Sequence, residues 1–171
     1  MAFNYLKSNV PKIIKEAYKL MGVSEIVGSK HNPEILAWAD KLSLKNVYTS
    51  DEIPWCGLFV AYVCLMAKKE VVKDPLWARN WNKFGTKEVC AKLGDILVFS
   101  RGSGGHVGFY VGEDPKAYFV LGGNQGNTVS IVKISKSRCI GIRRPEWKIA
   151  EPRSVRQIFL DVKGNLSTNE A

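Results

Sequence analysis

Two residues of this sequence combine a reactive side chain with a setting that could use it: Cys56, at the head of an apolar run, and His106, inside a glycine-flanked strand pattern. A thiol attacks as its thiolate, and a helix N-terminus together with an imidazole favours that form. Cys56 follows Pro54-Trp55, and a proline suits a helix start, where the first amides have no intrahelical partner. Of the two histidines, His31 lies in a polar stretch before Asn32-Pro33 and reads as exposed and idle. His106 begins a segment whose alternation sets His106, Gly108, Tyr110 and Gly112 on one face and Val107, Phe109 and Val111 on the other. Glycine removes a side chain where another element comes close, so the small face is the expected dock for the Cys56 helix.

The next strand supplies a third member. If Asp114-Pro115-Lys116 is the hairpin loop, antiparallel counting sets His106 opposite Asn124; a loop one residue longer sets Gly123 there. In the first register Asn124 would accept the second imidazole proton and orient the ring, giving a Cys-His-Asn arrangement. Trp55, Trp77, Trp81 and the amide of Gln125 are candidates to line a substrate groove, although aromatic residues at such spacing commonly belong to a core. Glu52, beside Asp51, is a further candidate substrate contact, against a simpler reading of the two as a solvated charge pair. Cys64 reads as a buried core thiol, and Cys90 and Cys139 as structural or incidental. The four cysteines form no C-x-x-C pair and have only two histidines to join them, so neither a metal site nor a cofactor is expected. The glycine-rich loop at 101–105 lacks the Lys-Ser/Thr of a phosphate-binding loop and reads as a flexible rim beside His106.

These residues need elements to hold them. Residues 11–21 place Ile13, Ile14, Ala17, Tyr18 and Met21 at helical spacing, and Asn32-Pro33 caps a second short helix over 33–41. Residues 56–67 are apolar on every side, as in a helix at the centre of a domain, and Lys68 and Lys69 close it. A short aromatic-rich helix or turn over 75–84 follows. From there the period changes, and short β-like runs at 95–100, 105–112, 117–121, 128–134 and 139–143 predict an antiparallel meander. Helices followed by strands in this order give an α+β class. Residues 1–150 form the expected domain; the tail at 151–171 alternates weakly and is left open between edge strand, helix and disorder.

Pro54-Trp55-Cys56-Gly57-Leu58-Phe59-Val60, Gly94-Asp95-Ile96-Leu97-Val98-Phe99, Gly105-His106-Val107-Gly108-Phe109-Tyr110 and Leu121-Gly122-Gly123-Asn124-Gln125, in that order, resemble the blocks of the NlpC and CHAP superfamily of papain-like peptidoglycan hydrolases, most closely its small phage-type members. The similarity runs from about residue 10 to Pro145. It implies a papain-like fold, with N-terminal helices and a central active-site helix packed on an antiparallel sheet. By position it maps Cys56, His106 and Asn124 onto nucleophile, base and orienting residue. The implied chemistry is acyl transfer at an amide of bacterial peptidoglycan, by an endopeptidase or an amidase. A thiol acyltransferase on the same triad and a non-catalytic basic binding module are the alternatives.

At 171 residues with 46% hydrophobic side chains, the chain is long and apolar enough for one core. Its net charge of +9 favours an anionic partner, and the basic residues are scattered, leaving a solvated basic surface as the simpler account of the charge. Peptidoglycan is the partner expected; nucleic acid is not, and a monomer is the expected state. Met1 to Leu20 contains no apolar signal core, and the longest uncharged run is too short to span a bilayer. The expectation is synthesis in a cytoplasm and action at the cell wall after release, virion delivery or secretion.

Overall fold

A computed structural model describes residues 2–170. Three α-helices precede a six-stranded sheet: α1 (Lys12–Lys19), α2 (Pro33–Lys41), α3 (Cys56–Met66), then β1 (Thr86–Lys87), β2 (Ile96–Arg101), β3 (Gly104–Glu113), β4 (Ala117–Gly122), β5 (Ser130–Ser135) and β6 (Cys139–Arg144). Short 3-10 turns sit at Asn4–Lys7, Ala78–Lys83 and Lys136–Arg138. The architecture is α+β. α1 buries the stripe Ile13, Ile14 and Ala17, as its periodicity requires. Asn32 caps α2 by accepting the Glu34 amide at 2.8 Å, with Pro33 in the first turn. α3 buries eight of its residues, Cys56 to Ala61 together with Val63 and Cys64, which is why its sequence shows no polar face.

The strand order is β1-β6-β2-β3-β4-β5, antiparallel at every pairing. β2 to β5 form the expected meander. β6 departs from it by crossing back to pair with the free edge of β2, where Arg144 clamps the buried Asp95 at 3.0 and 2.8 Å. The two-residue β1 extends that edge and was not foreseen.

α3 packs on the large-residue face of β3: Phe59 meets Phe109 edge-on at 6.1 Å. This corrects the expectation that the glycine face takes the helix. A side chain at Gly108 would strike Val120 and the Leu121 and Gly122 backbone, and one at Gly112 would strike Leu160. The glycines of β3 therefore make room for β4 and for the chain beyond Pro152.

Over residues 155–160 that chain is extended and packed along β3, as an edge strand would be. Val155 and Ile158 are buried, Phe159 bridges Glu113 in parallel, and backbone hydrogen bonds link Glu113 to Ile158 and Leu160 at 2.8 Å each. No helix among the described residues is long and apolar enough to cross a membrane.

Candidate active site at the start of α3

Cys56 is the first residue of α3, and Trp55 before it is buried and donates its indole N–H to Glu25 at 2.7 Å. The helix start is held tightly. A side chain at Gly57 would lie 2.2 Å from the Pro75 carbonyl, and one at Gly123 within 2.8 Å of Trp55 and Phe59. The β4–β5 turn thus presses directly on the head of α3.

The ladder explains what the thiol meets. Tyr110 N–H donates to the carbonyl of Asp95, the residue before β2, so the alternate amides of β3, Val107 among them, point toward β4. Phe109 pairs with Leu121, which would set Val107 against Gly123, but β4 stops at Gly122. The amides of Val107, Gly57 and Cys56 face the Cys56 sulfur and favour its anion, as does the Arg101 charge, while burial pushes the thiol upward and prevails. Cys56 is 4% exposed and His106 wholly buried.

His106 is fixed from its other side. Its Nε2 lies 2.9 Å from Gln125 Oε1. The Gln125 amide nitrogen donates to the Val120 and Ser130 carbonyls at 3.2 and 2.6 Å, so its oxygen must face the ring. An acceptor there places the proton on Nε2 and leaves Nδ1 with a lone pair. Nδ1 is buried and has no hydrogen-bond partner. Burial lowers the imidazole to about 4, against the opposing pull of Gln125 and Glu170 and reinforced by Arg101 and Arg138. In this state both thiol and imidazole are neutral, and no hydrogen bond joins them; sulfur rests against the amide of the residue that follows His106.

The structure places Gln125, and not Asn124, against the His106 ring. A bulge at Val111 moves the β3–β4 register from Glu113↔Tyr118 at the hairpin end to Phe109↔Leu121 further on. That restores the count which set Asn124 opposite His106, but the strand ends first. Asn124 turns in the left-handed region at φ 56°, and its buried Oδ1 has no partner. Gln125, expected to contact substrate, curls back and meets the His106 ring. Gly122 permits this, since a side chain there would lie 2.6 Å from Gln125 Oε1 and 3.4 Å from His106 Nε2.

The remaining candidates separate by burial. Trp55 and Trp81 are core residues at 0% exposure, Trp81 donating to the Pro75 carbonyl at 2.9 Å, so neither lines a groove. Trp77 is 73% exposed, two residues from Arg79, which binds the Gly104 carbonyl at 2.7 Å beside the hairpin turn. Glu52 is exposed and no described contact brings it to the site. Its neighbour Asp51 is buried, contrary to the solvated-pair reading: it accepts the Asn32 and Ile26 amides at 2.8 and 3.1 Å and meets His31 Nδ1 at 2.9 Å. Burial raises the Asp51 carboxyl, but these partners hold it below its ordinary value. His31 is therefore half-buried and engaged, where an idle residue was expected. All four cysteines are free, and Cys64 is buried as expected.

Sequence reasoning passed over Gly122, whose pairing with Gly123 before two amide residues was its only signal. Arg138 was also missed, because it reaches the site only through the fold, and the charge of Arg101, in the loop expected to rim His106, was given no part. No protein-family model matches this sequence, and no curated protein is significantly similar to it.

Proposed function

We propose that the chain is a papain-like cysteine peptidase or amidase that cleaves an amide bond of bacterial peptidoglycan, with Cys56 as nucleophile, His106 as base and Gln125 as orienting residue. The observation that carries this reading is the His106 environment: a buried imidazole whose Nε2 is committed to Gln125 and whose Nδ1 is unpartnered, one residue before the Val107 amide that acts on the Cys56 thiol. Buried polar atoms without partners are rare enough to require a reason. Here two of them, His106 Nδ1 and Asn124 Oδ1, flank Gln125, and substrate and thiol would supply what they lack. The peptidoglycan substrate rests on the resemblance of the sequence blocks, and the +9 charge suits an anionic wall.

In the proposed reaction the thiol leaves the Val107 amide for Nδ1, which takes its proton as sulfur attacks the amide carbonyl. The amides at the head of α3 stabilise the resulting oxyanion. His106 returns the proton to the leaving amine, and water then hydrolyses the thioester with His106 again as base. The enzyme would be made in a cytoplasm and act at the wall after release, virion delivery or secretion.

The test is incubation of the purified protein, Cys56→Ala and His106→Ala with isolated peptidoglycan of several wall types, with released fragments identified by mass spectrometry. Fragments made only by the unmodified protein are expected, and their new termini distinguish amidase from endopeptidase. Release by a folded Cys56→Ala variant at the parent rate would remove Cys56 from the mechanism.

A further inference from the structure

We propose that residues 161–170 are a built-in plug at the His106 end of the site, and that Arg138, which holds Glu170, is the seat for a carboxylate of an acidic peptide ligand. The proposal deepens the hydrolase reading and rests on it for the ligand's role as substrate. Arg138 grips Glu170 with two parallel bonds, Nη1 to Oε1 at 2.7 Å and Nη2 to Oε2 at 2.8 Å, and the Glu170 side chain is fully buried. This fork matches a carboxylate in geometry as well as charge.

The pair is anchored on both sides of His106. Arg138 Nε donates to the Ser100 carbonyl at 3.1 Å, and Ser100 pairs with Gly105, the neighbour of His106. On the other side the Glu170 carbonyl accepts the amide of Gly126, the neighbour of Gln125, at 2.7 Å. The segment is tied again by Ser167, whose amide donates to the Lys133 carbonyl at 2.7 Å and whose carbonyl accepts Arg138 Nη1 at 3.1 Å. Glu170 thereby lies close enough to His106 to favour protonation of the ring.

Residues 163–166 between these anchors and the packed Ile158 are exposed, so the middle of the segment lies open to solvent. A buried ion pair adds little net stability over an apolar contact of similar volume, whereas another carboxylate can replace Glu170 in the same fork. An acidic peptide seated on Arg138 would therefore evict the segment and bring its own backbone to the head of α3. The closed state would keep the thiol sheltered until such a ligand arrives.

Alkylation of the full chain with iodoacetamide, read cysteine by cysteine by mass spectrometry, tests this without any need for catalysis. Cys90 is exposed and serves as the reference; Cys64, buried in the same helix as Cys56, reports loss of the fold. Glu170→Ala and Arg138→Gln should each raise the Cys56 rate about tenfold or more relative to Cys90, with Cys64 still silent. A synthetic peptide of residues 161–170 should then protect Cys56 in the Glu170→Ala protein. The same peptide carrying Gln in place of Glu170 should not, nor should the acidic peptide protect the Glu170→Ala, Arg138→Gln double variant. Unchanged Cys56 rates, opening of Cys64 along with Cys56, or protection indifferent to the carboxylate would each overturn the proposal. A chain that passes these tests yet cuts no wall keeps the plug and loses the hydrolase reading.

Discussion

At the scale of single residues, the site is decided by which way one amide faces. Gln125 commits its nitrogen to two backbone carbonyls, and this fixes the tautomer of His106 before any substrate arrives. Gln125→Ala should leave the protein folded and lower kcat by roughly 100-fold, the scale of a misplaced catalytic group, with little change in KM. Gly122→Ala should act in the same direction by pushing Gln125 aside, and steady-state kinetics of both variants on a defined muropeptide checks the pair. His106 also sets a pH dependence of stability. Its folded value of about 4 lies below the ordinary 6.5, so between these pH values the unfolded chain holds a proton that the folded chain refuses. Stability contributed by the neutral ring is complete above pH ~6.5 and declines as pH falls toward ~4, by on the order of 3 kcal/mol. Denaturant titrations between pH 7 and 4.5 should show this decline in the parent and a shallower one in His106→Ala; equal slopes would mean that the imidazole is not buried neutral.

At the scale of elements, two close approaches hold the site together. The head of α3 is wedged between the Pro75–Leu76 backbone and the turn after β4, with glycine at each contact. Gly57→Ala should move Cys56 away from the Val107 amide and abolish activity while destabilising the fold, because the atoms in its path are backbone and cannot yield cheaply. The other fastening is the Arg144–Asp95 clamp that returns β6 to β2. Burial raises the Asp95 carboxyl toward protonation while Arg144 and the Lys92 amide oppose it, the signature of a charge held in the interior by its partner. Asp95→Ala leaves Arg144 with Glu88 at 3.0 Å and Glu151 at 4.0 Å. These partly compensate, so the expected loss lies toward the lower end of the ~3–5 kcal/mol typical of a broken buried pair, read from chemical denaturation.

Over the whole molecule, a surface charge of +9 has to coexist with a buried site. Opposite charges are spent locally: Glu113 with Lys136, Asp114 with Lys133, Glu170 with Arg138 and Asp95 with Arg144. The excess lysines and arginines are left to the exterior, where the proposed anionic wall would be attracted over about a Debye length of ~8–10 Å at ordinary ionic strength. Binding of the Cys56→Ala protein to isolated cell walls should therefore weaken steadily with added salt. Retention that is indifferent to salt would mean that recognition is not electrostatic.

The sequence alone determined the elements and singled out two residues of the proposed site, because both are written in local patterns. Apolar spacing marked α1 and α2, an unbroken apolar run marked α3, and alternation marked β2 to β6, whose observed bounds lie within two residues of the expected ones. A cysteine at a helix head and a histidine in a glycine-flanked strand stood out for the same reason. Only the tertiary structure decided which face of β3 receives α3, since alternation divides residues into two faces without saying what covers either. It also chose Gln125 over Asn124: a bulge at Val111 and the early end of β4 are outcomes of strand twist and turn packing, and counting along the chain cannot register them. Burial of Trp55, Trp81 and Asp51, and the meeting of Arg138 with Glu170 across 32 positions, depend on the same cause. They are contacts between segments distant in sequence, fixed when helices, sheet and the extended segment close around a common core.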